Sequence, residues 1–266
     1  MAPQRNALHP LAVVTGASSG IGLALARVFA EHGFDLVICA EDDGITGAAA
    51  ELRATGARVE SVRADLATAY GVDRLYDRVR QVGPVDALAI NAGVGVGDAF
   101  VDTDLDEELR LVDLNVVSVV RLANYVLKDM VARGEGRILF TSSIAAEMPA
   151  PFLAVYGASK AFVQSFAEAL RNEVKDTNVV VTALQPGPTD TNFFERAHMM
   201  DTKVATGSKS DPATVARAAF DALMKGKDHV VVGMKNKVQS TLAQVLPETA
   251  TAEMHRKETE PGSADR

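Results

Sequence analysis

The chain has 266 residues, 47% hydrophobic and 23% charged, enough for one large α/β domain with a sizeable core. Its net charge of −8, without clusters of Lys or Arg, argues against a nucleic-acid partner, whose phosphates reward such clusters. No apolar run reaches membrane-spanning length, the first ten residues lack the apolar stretch of a secretory signal, and the single Cys39 excludes an internal disulfide, so a reducing cytoplasm is the expected location.

Residues 11–14 read as a buried strand running into Thr15-Gly16-Ala17-Ser18-Ser19-Gly20-Ile21-Gly22 and then an apolar helix over 23–32. Strand, glycine turn and helix in this order let a backbone approach a pyrophosphate at a helix N-terminus. The spacing is G-x3-G-x-G rather than the common G-x-G-x-x-G, so the turn alone also fits a glycine-rich cap with no ligand. Strand-like runs follow at 34–40, 58–64, 87–90, 137–141, 179–184 and 229–232, alternating with helical stretches that include 105–131 and 156–175. Such alternation predicts a single-domain, Rossmann-type doubly wound parallel sheet with helices on both faces and a ligand crevice beyond the carboxyl ends of its strands. Residues 1–10 read as a short extension and 11–235 as the domain, while 236–266, where Glu, Lys, Thr and Pro replace apolar periodicity, read as a polar and partly mobile tail.

Tyr156 and Lys160 stand four residues apart, which on a helix stacks a phenol beside an ammonium. A free tyrosine has a pKa of about 10, and a fixed positive charge favours the phenolate, drawing it toward the working range of an acid–base catalyst. Such a pair also arises by chance. It gains meaning because Ser143 lies thirteen residues before Tyr156, at the end of a strand that delivers its hydroxyl to the sheet's edge. Adjacent Ser142 is read as a structural or cofactor-side hydroxyl. Five scattered histidines show no ligand spacing, so no metal is expected.

Four motifs in order, Thr15 to Gly22, Asn91-Ala92-Gly93, Ser143 with Tyr156 and Lys160, and Pro186-Gly187 with Thr191, resemble the short-chain dehydrogenase/reductase family over roughly residues 11–232. The resemblance implies an NAD(P)(H)-dependent oxidoreductase that interconverts a secondary alcohol and a ketone or aldehyde. It makes Tyr156 the acid–base, Lys160 its electrostatic partner and a ligand of the nicotinamide ribose, and Ser143 the holder of the substrate oxygen. Asn115 matches the family's fourth catalytic position, where an Asn holds a water linking Lys160 to solvent; a satisfied structural Asn is the alternative. For the cofactor, Gly16, Ser18, Ser19, Gly20, Ile21 and Gly22 would meet the pyrophosphate. Asp65 and Leu66 would meet adenine, Asn91, Ala92 and Gly93 the adenosine ribose, and Pro186, Gly187, Thr189 and Thr191 the nicotinamide end.

Cofactor choice departs from both common family patterns, because Ala40 stands where NAD-users carry an acid and Glu41 where NADP-users carry Arg. Acidic Glu41-Asp42-Asp43 would repel a 2′-phosphate and accept hydrogen bonds from a free ribose diol, so NAD(H) is expected over NADP(H), with Arg63 the candidate cation should a phosphate bind. The segment 188–212 is expected to close an apolar substrate pocket with Phe193 and Phe194, opposite a wall containing Ala145 and Phe152. Family members usually pair through the helices at 105–131 and 156–175, implying a homodimer or homotetramer. Other readings are a cofactor-binding regulator without turnover and a non-redox enzyme on the same scaffold.

Overall fold

The computed structural model describes residues 9–233 and 246–265. Seven parallel strands form one sheet: β1 (Leu11–Thr15), β2 (Asp35–Ala40), β3 (Val59–Arg63), β4 (Ala87–Ile90), β5 (Gly136–Thr141), β6 (Val179–Gln185) and β7 (His229–Val231). Their spatial order is β3-β2-β1-β4-β5-β6-β7. The order reverses between β1 and β4, where crossovers leave in opposite directions and open a crevice at the carboxyl ends.

Strand side chains alternate between the faces, and because both faces are covered, both sets are apolar. Leu36 and Ile38 of β2 and Leu139 of β5 join one core with α1 (Gly20–Glu31), α2 (Gly44–Arg53) and a later helix, Pro212–Met224. Val37, Cys39, Ile138 and Phe140 face the other core, with α3 (Ala69–Val82) and the helices before and after β5. Local chemistry starts and stops these helices: Asp211 accepts hydrogen bonds from Ala213 and Thr214 N–H ahead of Pro212, Thr68 accepts from Gly71 N–H, and Gly134 ends the helix before β5 with φ of 80°.

The helix expected over 105–131 is interrupted. It runs as α4 (Leu105–Val112), a π-turn at Asp113–Val117, and α5 (Ser118–Arg133). Apolar periodicity does not register one widened turn, yet this turn carries Asn115. After α6 (Ala154–Glu173) come the short helices α7 (Phe193–Arg196) and α8 (Lys203–Thr206), then α9 (Pro212–Met224). In the segment expected as a polar, partly mobile tail, residues 248–259 form a further helix, α10 (Glu248–Thr259), followed by a 3₁₀ turn at Ser263–Asp265; the part of that expectation on 234–245 falls outside the described residues. Among the described residues no helix is long and apolar enough to cross a membrane.

Candidate active site

At the crevice, Thr15 closes β1 with a hydroxyl that accepts hydrogen bonds from the backbone N–H groups of Asn91 (2.9 Å) and Ala92 (3.0 Å). Asn91 returns a bond from Nδ2 to the Thr15 carbonyl at 3.1 Å, and its Oδ1 accepts from Thr141 at 3.2 Å. One side chain thus ties the ends of β1, β4 and β5 together. Gly16 follows with φ of 66°, a left-handed turn, and a Cβ on Gly22 would lie 2.1 Å from the Gly16 carbonyl oxygen. Ser19 caps α1 with no side-chain bond, so the first amide groups of the helix remain free to meet an anion.

Every residue expected from the sequence to touch the cofactor, from Gly16 through Thr191, lines a single cavity of about 520 Å³. Ser143, Ala145, Tyr156, Phe193 and Phe194 line it too. The Ser143 hydroxyl stands near the Tyr156 phenol and favours its ionised form, and Ser143 Oγ accepts from Ala145 N–H at 3.1 Å. Ser142, also in the lining, donates to the Lys160 carbonyl at 2.9 Å and so ties β5 to α6. Lys160 is buried, its Nζ donating to the Thr141 carbonyl at 3.0 Å and lying 5.7 Å from the centre of the Tyr156 ring.

The electrostatics differ from the expectation for an isolated pair. Burial pushes Tyr156 up to about 12, opposed by the Ser143 hydroxyl, and the same burial lowers Lys160 to about 8. Desolvation disfavours both charged forms.

Asn115 does not line the cavity. Its Oδ1 accepts from Val94 N–H at 3.0 Å, and Nδ2 donates to the Val94 carbonyl (2.9 Å) and to Ser159 Oγ (3.1 Å). It therefore clasps the loop after β4 to α6, and a Cβ on Gly93 would meet both Asn115 Oδ1 and Lys160 Nζ at 3.1 Å. All the hydrogen-bonding groups of the amide are thus engaged, within the neighbourhood of Lys160.

At the opposite end, each acid expected to repel a phosphate has an arginine. Arg110 of α4 bonds Glu41 at 2.5 Å and both oxygens of Asp65 at 2.9 and 3.1 Å, holding the Asp65 carboxyl below its ordinary range. Arg63 pairs with Asp43 and donates to the Glu41 carbonyl, and Arg196 reaches Asp42 at 3.6 Å. Arg110 and Arg196 had no sequence signal, since their meaning depends on where α4 and α7 come to rest.

The substrate end has walls from three segments. Phe193 stands with its ring centre 5.1 Å from that of Tyr156, and Met148 and Leu153 face it. Phe152, expected in the pocket, is not there: it takes a left-handed backbone with φ of 61°, and its ring lies beneath the Arg256 guanidinium at 5.0 Å. Met254, His255, Glu258 and Thr259 of α10 supply the third wall, which sequence analysis missed. Among the described residues no group of three or more His, Cys, Asp or Glu is placed to hold a metal.

Residues 10–201 match the family described as short chain dehydrogenase. Dehydrogenase/reductase SDR family member 7B of Bos taurus is 34% identical over 244 residues, covering 86% of this chain and 74% of that protein. Glycine betaine reductase ATRR of Emericella nidulans is 34% identical over 229 residues, which is 84% of this chain and 18% of that protein. A solved short-chain dehydrogenase from Sphingobium yanoikuyae in complex with NADPH superposes with a TM-score of 0.79 at 28% identity, covering 90% of this chain and 97% of that one. A short chain dehydrogenase/reductase from Burkholderia phymatum in complex with NAD shares the fold, with a TM-score of 0.82 at 24% identity over 95% and 97% of the two chains. By the match over residues 10–201 and the identity to the bovine protein, the chain belongs to the short-chain dehydrogenase family of nicotinamide-dependent oxidoreductases.

Proposed function

We propose that the protein interconverts a secondary alcohol and its carbonyl compound, with Tyr156 as the acid–base group. The observation that carries this reading is the Tyr156 phenol beside Ser143 in a cavity that continues to the glycine turn. The close approach at Gly16 and Gly22 and the free amides of α1 suit a dinucleotide pyrophosphate, Asp65 and Asn91 the adenosine, and Lys160 with Thr189 and Thr191 the nicotinamide end. A bound nicotinamide cofactor supplies or accepts the hydride. In reduction, Ser143 Oγ holds the carbonyl oxygen and Tyr156 Oη gives it a proton, so that one hydride and one proton turn C=O into CH–OH; oxidation returns both. Lys160, clamped by Thr141, keeps the phenol's electrostatic partner in register.

We infer NAD(H) as the cofactor, with Glu41 oriented by Arg110 to receive the ribose hydroxyls. NADP(H) is the alternative, because Arg63, Arg110 and Arg196 stand where a 2′-phosphate would draw them from their acids. Self-association through α4, α5 and α6 is supported by the exposure of Leu109, Val117, Val120 and Phe162, whereas Ala123 faces the sheet. The buried thiol of Cys39 suits a reducing cytoplasm.

Calorimetric titration with NADH and NADPH, followed by a panel of ketones and aldehydes, tests this reading. Tighter NADH binding with turnover supports it. Tighter NADPH binding moves the cofactor assignment to the three arginines, and cofactor binding without turnover of any carbonyl favours a regulator or a repurposed scaffold.

A further inference from the structure

α10 is fastened to both older walls of the pocket. Thr259 Oγ1 donates to the Pro151 carbonyl at 2.9 Å, Arg256 covers Phe152, and beyond the helix Gly262 N–H reaches Asp201 at 2.7 Å while Lys203 N–H donates to Ser263 Oγ at 3.0 Å. This fastening sets His255 into the lining of the cavity, to which Leu153, Phe194, Val204 and Met254 also belong.

The hydrogen bonds around Thr259 favour one tautomer of His255. Thr259 has one hydroxyl proton and two carbonyl acceptors, Pro151 at 2.9 Å and His255 at 2.8 Å, both nearer than His255 Nδ1 at 3.3 Å. With that proton engaged on a carbonyl, Nδ1 is the donor and Thr259 Oγ1 its acceptor. Nε2 is then an unprotonated acceptor, and the ring's hydrogen bond among the described residues is made at Nδ1, on a side chain that lines the cavity. Burial also lowers the imidazole to about 4, which keeps it neutral near pH 7.

Resting on the carbonyl-reductase reading above, we propose that the substrate has an apolar body bearing one hydrogen-bond donor, a hydroxyl or amino group, remote from the reacting carbon, and that His255 Nε2 accepts from it. Apolar side chains of the same lining make this acceptor selective, because a ligand without the donor leaves it desolvated and unpaired. Glu258 lines the same wall but is exposed, so water competes for its carboxylate.

The test uses a series of methyl ketones ending in phenyl or para-hydroxyphenyl, with increasing linker length. They are titrated calorimetrically in the presence of oxidised cofactor, which keeps the ketone from reacting. At the best length the hydroxyl member should bind roughly fivefold to tenfold tighter. His255→Phe should bring the pair within about twofold, and His255→Gln, which restores an acceptor, should recover part of the difference. Nitrogen-15 spectra of histidine-labelled wild-type protein should show Nε2 unprotonated and shifted by the hydroxyl ligands only. Equal affinities at every length, a protonated Nε2, or a preference unchanged in His255→Phe overturns the proposal. Absence of carbonyl turnover alone would instead remove the redox reading, and the affinities and nitrogen signals would still decide the role of His255.

Discussion

Replacing Tyr156 with Phe removes one oxygen from the site and little else. The ring keeps its neighbours, Phe193 at 5.1 Å and Lys160 at 5.7 Å, so the structural loss is at most one hydrogen bond's worth, about 0.5–1.5 kcal/mol. The chemical loss is larger, because a positioned acid–base group contributes roughly 10²–10⁴-fold, or about 3–5 kcal/mol of activation free energy. With the phenol pushed up to about 12, about one molecule in 10⁵ is ionised at pH 7, so before cofactor binds the proton needed for reduction is in place. Reduction should therefore be nearly independent of pH through neutrality. Oxidation, which needs the phenolate, should rise with pH by up to about tenfold per unit until another group titrates. Both directions are followed by the absorbance of the reduced nicotinamide, with cofactor affinity measured by fluorescence titration and stability by urea. Tyr156→Phe should lose at least 100-fold in kcat with cofactor affinity within about twofold of wild type. A variant retaining more than a tenth of the wild-type kcat would refute the assignment of the proton to this hydroxyl.

Gly22→Ala places a methyl against the Gly16 carbonyl and Asn91 Nδ2, two groups held by the sheet ends, and should cost about 1–3 kcal/mol in urea unfolding along with most cofactor affinity; normal NADH binding would show that the turn does not approach a pyrophosphate. Glu41→Arg sets a second cation beside Arg110 and should move the NADPH-to-NADH affinity ratio by at least about tenfold toward NADPH, and an unmoved ratio would reject Glu41 as the group that reads the ribose. His255 is neutral in both states above pH 6.5. Below that the unfolded chain binds its proton first, so stability should fall by roughly 1.4 kcal/mol per unit until the folded imidazole titrates near 4. Urea midpoints of His255→Phe should be flatter than wild type across this window, and parallel curves would place the imidazole in water.

Sequence by itself determined the alternating α/β order, the parallel sheet and the four motifs, because strand period, glycine turns and strand-end residues are local patterns that every doubly wound sheet brings to the same edge. The spacing of Tyr156 from Lys160 needed only a helix, and α6 supplied it. Environment was settled by tertiary structure alone. Burial raises Tyr156 and lowers Lys160, and a π-turn with one inserted residue aims Asn115 at the loop after β4. Acids that look like a bare anionic loop lie among Arg63, Arg110 and Arg196, drawn from three distant segments. Phe152 left the pocket through one left-handed residue, and α10 entered it from a stretch with little apolar periodicity, held by a carbonyl, a carboxylate and an arginine over a ring. Desolvation, long-range ion pairing and polar docking depend on which segments meet in space, and they leave no period in the chain.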